Sequence, residues 1–117
     1  MKPLNILLLN PPGKKLYIRD YYCSKVSKAG YIYEPVDLLI LSGTLLSTHD
    51  VHVLDAMAYN LSPRQCLNKI NSIKPDVIFS LTGAVSFDED VEFWKEIKSH
   101  DKGTLIFASG DILMEEA

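Results

Sequence analysis

Leu4-Asn5-Ile6-Leu7-Leu8-Leu9-Asn10-Pro11-Pro12 is the stretch on which the fold turns. Leu4 to Leu9 is nearly all apolar and carries no charge, which suits a parallel strand buried on both faces better than a helix. Pro11 and Pro12 forbid both further ladder pairing and an immediate helix, so the chain must leave the sheet at its carboxyl edge. In open α/β sheets ligands sit at that edge. The segment that follows is basic and rich in tyrosine. From Asn10 to Tyr33, Lys14, Lys15, Arg19, Lys25 and Lys28 face Asp20 alone, a net +4 in a chain whose total is −3. Positive charge is therefore gathered at the expected ligand face.

Working outward, strand-like and helical runs alternate. Glu34-Pro35 opens an apolar helix over Val36 to Leu46, with proline at a favoured first position. Val51 to Leu54 is the second strand, closed by Asp55. Ser62-Pro63-Arg64-Gln65 is a capping box ahead of a stripe of Cys66, Leu67, Ile70 and Ile73. Lys74-Pro75-Asp76 breaks that helix, and Val77 to Leu81 is the third strand. Ser86 with Glu89 reads as a second capping box, opening a helix whose Val91, Trp94 and Ile97 face inward while Asp90, Glu92, Lys95 and Lys98 face water. Asp101-Lys102-Gly103 turns into the fourth strand, Thr104 to Ala108, and Asp111 to Ala117 begins another helix. This alternation specifies βαβ units with right-handed crossovers. The expected fold class is α/β, a Rossmann/flavodoxin-like doubly wound parallel sheet of four strands in one domain over residues 1–117, an N-terminal fragment of a longer protein cut before a fifth strand.

Composition narrows the function. At 117 residues, 47% hydrophobic and 23% charged, the chain is an ordinary globular domain, and its acidity argues against general nucleic-acid binding. No apolar run approaches the ~20 residues of a membrane span, and Met1-Lys2-Pro3 leads into a strand too short for a signal peptide. A cytoplasmic protein without membrane or nucleic-acid partners is expected. Cys23 and Cys66 stand far apart and cannot build a zinc ribbon or a cluster site; Cys66 reads as a core thiol, Cys23 as a loop thiol.

Most catalytic constellations are missing. There is neither GxGxxG nor GxxxxGK[ST], and the receiver-type acidic positions hold Asn10-Pro11 and Leu81-Thr82. Asp88-Glu89-Asp90 is more simply a set of dipole partners at a helix start. His49 and His100 end expected helices, His52 alternates within a strand, and no two have metal-ligand spacing. No hydroxyl or thiol has a base beside it. What is left lies at the strand ends: Asn10, Asp55, Ser80, Thr82, Ser109 and Gly110, small polar residues that allow a bulky ligand to approach, or that merely end strands and cap helices.

Leu7-Leu8-Leu9-Asn10-Pro11-Pro12, Tyr33-Glu34-Pro35, Val53-Leu54-Asp55-Ala56 and Lys74-Pro75-Asp76-Val77-Ile78 running into Ser80-Leu81-Thr82 together resemble the N-terminal cobalamin (B12)-binding domain of B12-dependent radical SAM proteins, such as the anaerobic magnesium-protoporphyrin monomethyl ester cyclase. The resemblance spans essentially the whole chain. It implies a Rossmann-like sheet holding a corrinoid cofactor, cobalamin, at its carboxyl edge. It also implies a C-terminal radical SAM barrel of the parent chain, of methyltransferase or cyclase type, carrying the S-adenosylmethionine and the 4Fe-4S cluster. Ser80, Leu81 and Thr82 would meet the nucleotide tail, Asn10, Pro11 and Pro12 would border the lower corrin face, and Asp55, Ser109 and Gly110 would complete the edge. A glycine pair is usual after the fourth strand, and only Gly110 matches it. Asp50-Val51-His52 has the first three letters of Asp-x-His-x-x-Gly but lies on the second strand, so no histidine lower ligand is expected. The barrel's CxxxCxxC is absent, and alone the chain should catalyse nothing.

Two other readings stay open. One is a non-catalytic Rossmann-like scaffold that has lost cobalamin and docks through Tyr17, Tyr21, Tyr22, Tyr31 and Tyr33. The other is a small regulator binding a phosphorylated metabolite. The fourth strand is expected to be an uncovered edge that invites a homodimer, and the loop from Pro11 to Tyr33 to be the most mobile segment.

Overall fold

The computed structural model describes residues 3–15, 17–19, 24–26 and 49–110, for residues 18, 19 and 24–26 the backbone alone. The expected helices over 36–46 and 111–117, Cys23, and the tyrosines at 21, 22, 31 and 33 lie outside the described residues.

Four strands form one all-parallel sheet: β1 (Asn5–Asn10), β4 (Asp50–Asp55), β5 (Val77–Leu81) and β6 (Leu105–Ser109), in the order β4-β1-β5-β6. Counting only these strands, the order is 2-1-3-4, the flavodoxin-like winding expected from the alternation. Register is continuous, with Leu7 opposite His52 on one side and Ile78 on the other. Between them lie α1 (Pro63–Ile73) and α2 (Phe87–His100). Both helices cover the same face. Cys66 and Ile70 of α1 and Phe93 and Ile97 of α2 pack on Leu7, Leu9, Leu54 and Ile78. Leu7, Leu8 and Leu9 are fully buried, as expected of a central strand with both faces covered.

The capping box of α1 is as expected. Ser62 Oγ accepts the Gln65 N–H at 3.2 Å, and the Gln65 side chain accepts the Ser62 N–H at 2.9 Å. At its other end Lys74 takes a left-handed conformation, φ 53°, and donates its N–H to Ile70 before Pro75 stops the helix. At the amino edge, Asn5 Nδ2 donates to the carbonyls of Ile73 and Lys74.

Two expectations are corrected. The stretch after β1 is not wholly irregular. Tyr17–Arg19 (β2) and Ser24–Val26 (β3) pair antiparallel as a small ribbon, Tyr17 opposite Val26, in short runs that include the β-branched and aromatic residues Tyr17, Ile18 and Val26. In α2, Ile97 faces inward as expected, but the other two inward positions each lie one residue earlier than expected. Asp90, Phe93 and Ile97 are its buried positions, while Val91 and Trp94 are half-buried. Lys98 is likewise half-buried rather than free in water, its Nζ donating to the carbonyls of Lys102 and Thr104.

Candidate functional site

The strand ends bring most of the expected residues to one edge. Asp55 ends β4, Asn10 ends β1, Leu81 ends β5 with Thr82 directly after it, and Ser109 ends β6 with Gly110 directly after it. The chain reverses winding direction about β1, which places this edge at the switch point of the sheet. Asn10 and Asp55 are register partners, and Asn10 Nδ2 donates to Asp55 Oδ1 at 2.9 Å. The same oxygen accepts the Ala58 N–H at 3.0 Å. The carboxylate is thus buried and hydrogen-bonded rather than offered to solvent.

Gly110 is held by close approach. A Cβ there would fall on the Thr82 carbonyl oxygen and lie 2.7 Å from the Thr82 carbonyl carbon, and Thr82 N–H donates to the Ser109 carbonyl at 2.9 Å. The backbones at Thr82 and Gly110 are therefore pressed together, even though Ser109 replaces the first glycine of the expected pair.

Ser80 and Thr82 are placed differently from the expectation. Ser80 lies one residue short of the edge. Its Oγ accepts the Trp94 indole N–H at 2.9 Å and donates to the Leu81 carbonyl at 3.1 Å. Thr82 Oγ1 donates to Asp90 Oδ2 at 2.8 Å, and Ser86 Oγ donates to the same oxygen at 2.8 Å. Asp90 is 0% exposed, so it does not face water. Its carboxylate ties the loop after β5 to the first turn of α2, an arrangement that buried acidic groups require. Leu81 turns to the opposite face, beside Ile6, Leu8 and Val77. Asn10, Pro11, Pro12, Asp55, Ser80, Leu81, Thr82 and Gly110 are all buried, and only Ser109 is half-buried.

The second capping box does not form. Ser86 precedes α2 but makes no side-chain cap. Glu89 turns away from its own helix: Oε2 accepts the Lys14 N–H at 2.8 Å, and Oε1 accepts the Tyr17 hydroxyl at 3.2 Å. Of the acidic triplet, only Asp88 fits the simple role of an exposed dipole partner. Trp94, Asp90 and Glu89 were missed as polar contributors. The Asp90-Phe93-Ile97 spacing at i, i+3, i+7 was the available signal for Asp90, obscured by the apolar Val91 and Trp94.

Between the segment leaving β1 and the two helices lies a cleft of about 730 Å³. Pro12, Gly13 and Lys14 form one wall, and Leu61, Pro63 and Phe93 give it an apolar side. His52 stands on β4 opposite Leu7, three residues behind the edge. Among the described residues, no three His, Cys, Asp or Glu side chains converge to hold a metal ion, and no helix is long and apolar enough to cross a membrane. Cys66 is buried in the core; burial pushes its thiol up to about 12, against the opposing charge of Lys69.

Comparison with known proteins gives no match to a family model, to a curated protein or to a solved structure.

Proposed function

We propose that the chain is a cobalamin-binding module of a B12-dependent radical SAM protein, with the corrinoid at the carboxyl edge of the sheet. The observation that carries this reading is the meeting of Asn10-Pro11-Pro12, Leu81-Thr82 and Ser109-Gly110 at the switch point of a 2-1-3-4 sheet. In chemistry the residues fit the neutral, amide-rimmed body of a corrin. The one carboxylate among the edge residues, Asp55, is already satisfied by Asn10 and Ala58. Asn10 to Pro12 and Ser109-Gly110 would hold the corrin and the Leu81-Thr82 backbone its tail; bound cobalamin would supply a methyl-carrying or electron-transferring cobalt to a radical SAM barrel. The hydroxyls of Ser80 and Thr82 do not fit the role of tail contacts in this conformation, because Trp94 and Asp90 engage them.

That engagement, with the burial of nearly every edge residue, favours a second reading: a Rossmann-like scaffold that docks on its barrel and holds no cobalamin. Incubation with hydroxocobalamin and desalting separates the two. The first reading expects cobalt to be retained with a visible spectrum changed by displacement of the lower base, and retention to be lost in Ser109→Tyr, which crowds the edge without entering the core. A folded chain that retains no cobalt and leaves the spectrum unchanged refutes it. Affinity for a separately produced barrel, unchanged by Ser109→Tyr, would then support the scaffold.

A further inference from the structure

The two neighbouring carboxylates at the start of α2 do different things. Asp90 is enclosed, and both of its hydroxyl donors approach to 2.8 Å. Glu89 instead reaches out to the segment that leaves β1. It holds the Lys14 amide at an exposed position, and the Tyr17 hydroxyl at 3.2 Å, long for an O–H donor to a carboxylate. Tyr17 is itself buried and begins β2. Gly13 lies beneath its ring: a Cβ there would come within 2.5 Å of the Tyr17 ring and 3.1 Å of Glu89 Oε2. The segment from Pro12 to Lys14 is also one wall of the carboxyl-edge cleft.

We infer that Gly13, Tyr17 and Glu89 form a releasable latch, which holds the strap leaving β1 closed against α2 and must open for a ligand to reach Asn10 and Pro11 at the carboxyl edge. The inference rests on the corrinoid reading for the identity of that ligand, but not for the latch itself. A ligand cannot touch Asn10 or Pro11 while they are buried, so the chain around them must move. The strap runs directly from these two residues, and its tie to α2 is more exposed than the Asp90 contacts beside it, with the Tyr17 bond also longer, at 3.2 Å against 2.8 Å. Basic Lys14 and Lys15 at the strap and acidic Asp88 and Glu89 on the helix favour the closed position through a screened attraction.

Hydrogen exchange read at single amides, together with stopped-flow mixing with hydroxocobalamin, tests this in the full chain. Glu89→Ala should speed exchange at Lys14 by about tenfold or more, the loss expected for a hydrogen bond to a charged group. Gly13→Ala, which wedges the strap from the other side, should speed it as well, and Lys95→Ala on the exposed face of α2 should not. Both latch variants should take up hydroxocobalamin faster than the parent chain. Unchanged Lys14 exchange in folded Glu89→Ala overturns the latch. Faster exchange without faster uptake, in a chain that retains cobalamin, overturns its gating role. If no variant retains cobalamin yet Lys14 exchange responds as expected, the corrinoid reading fails and the latch stands.

Discussion

Replacing Gly110 by alanine tests a close approach of two backbones. The added Cβ would meet the Thr82 carbonyl group and lie 3.1 Å from Thr82 Cγ2. The carbonyl cannot rotate away as the end of a flexible side chain could. Relief therefore requires the backbone at Gly110 to move off Thr82, which strains the Thr82 N–H to Ser109 bond of 2.9 Å. Overpacking at such a site costs about 1–3 kcal/mol, and loss of the hydrogen bond adds about 1 kcal/mol. A total near 3 kcal/mol corresponds to a fall in Tm of roughly 10 °C for a domain of this size. Gly103→Ala is the matched control, because its Cβ would find only Asp101 Oδ1 at an ordinary 3.4 Å; a change within about 0.5 kcal/mol is expected there. Thermal melts followed by far-UV circular dichroism, with urea titrations, report both variants. A Gly110→Ala midpoint within about 2 °C of the parent chain, a loss well under 1 kcal/mol, would refute the reasoning.

Asp90→Ala should destabilise by about 2–4 kcal/mol in urea titration, since it leaves the buried Thr82 and Ser86 hydroxyls without their acceptor, and a loss under about 1 kcal/mol would show that the network is not structural. Cys66 should resist thiol reagents in the native state and react on unfolding. Its folded-state value is raised from 9.0 to about 12, so the buried thiol's contribution is complete below pH 9 and is lost as pH climbs toward 12. Urea midpoints of parent and Cys66→Ala should accordingly converge over that window, and a constant difference from pH 8 to 12 would contradict it. At the β6 edge, Leu105 and Phe107 are 55% and 51% exposed, with Phe107 stacked on Phe79 at 5.4 Å. Sedimentation should show a concentration-dependent dimer that Phe107→Lys abolishes; a parent chain monomeric at high concentration would count against strand pairing there.

The parallel α/β class was legible because its signals are local. An uncharged apolar run ending in Pro11-Pro12, a serine-proline capping box at Ser62, and strands separated by helix-length segments each act through neighbouring residues. The carboxyl-edge residues were legible for the same reason, since a strand's end is also its place at the edge. The roles of their side chains were not. Ser80 and Thr82 look alike in the sequence, as two hydroxyls at a strand end. Which way each hydroxyl turns depends on Trp94 and Asp90, 14 and 8 residues away, and on the rotation of α2 about its axis. Val91 and Phe93 are both apolar, so the periodicity of α2 admitted two settings.

Glu89 shows where sequence ends and tertiary structure begins. Three residues after a serine at a helix start, its position satisfies the local pattern of a capping box, and an isolated helix would have reason to form one. In the folded chain the segment leaving β1 passes beside it and offers the Lys14 amide and the Tyr17 hydroxyl, 75 and 72 residues distant in sequence. The sequence by itself determined the alternation of elements, the central buried strand and the edge at which the chain turns back. Only the tertiary structure decided that this edge is closed, and that Asp90 and Glu89, adjacent in sequence, lie one inside the protein and one across the strap. Local propensity acts within a few residues, whereas the partner of a buried or bridging carboxylate is chosen by which distant segment the packed helices bring within about 3 Å.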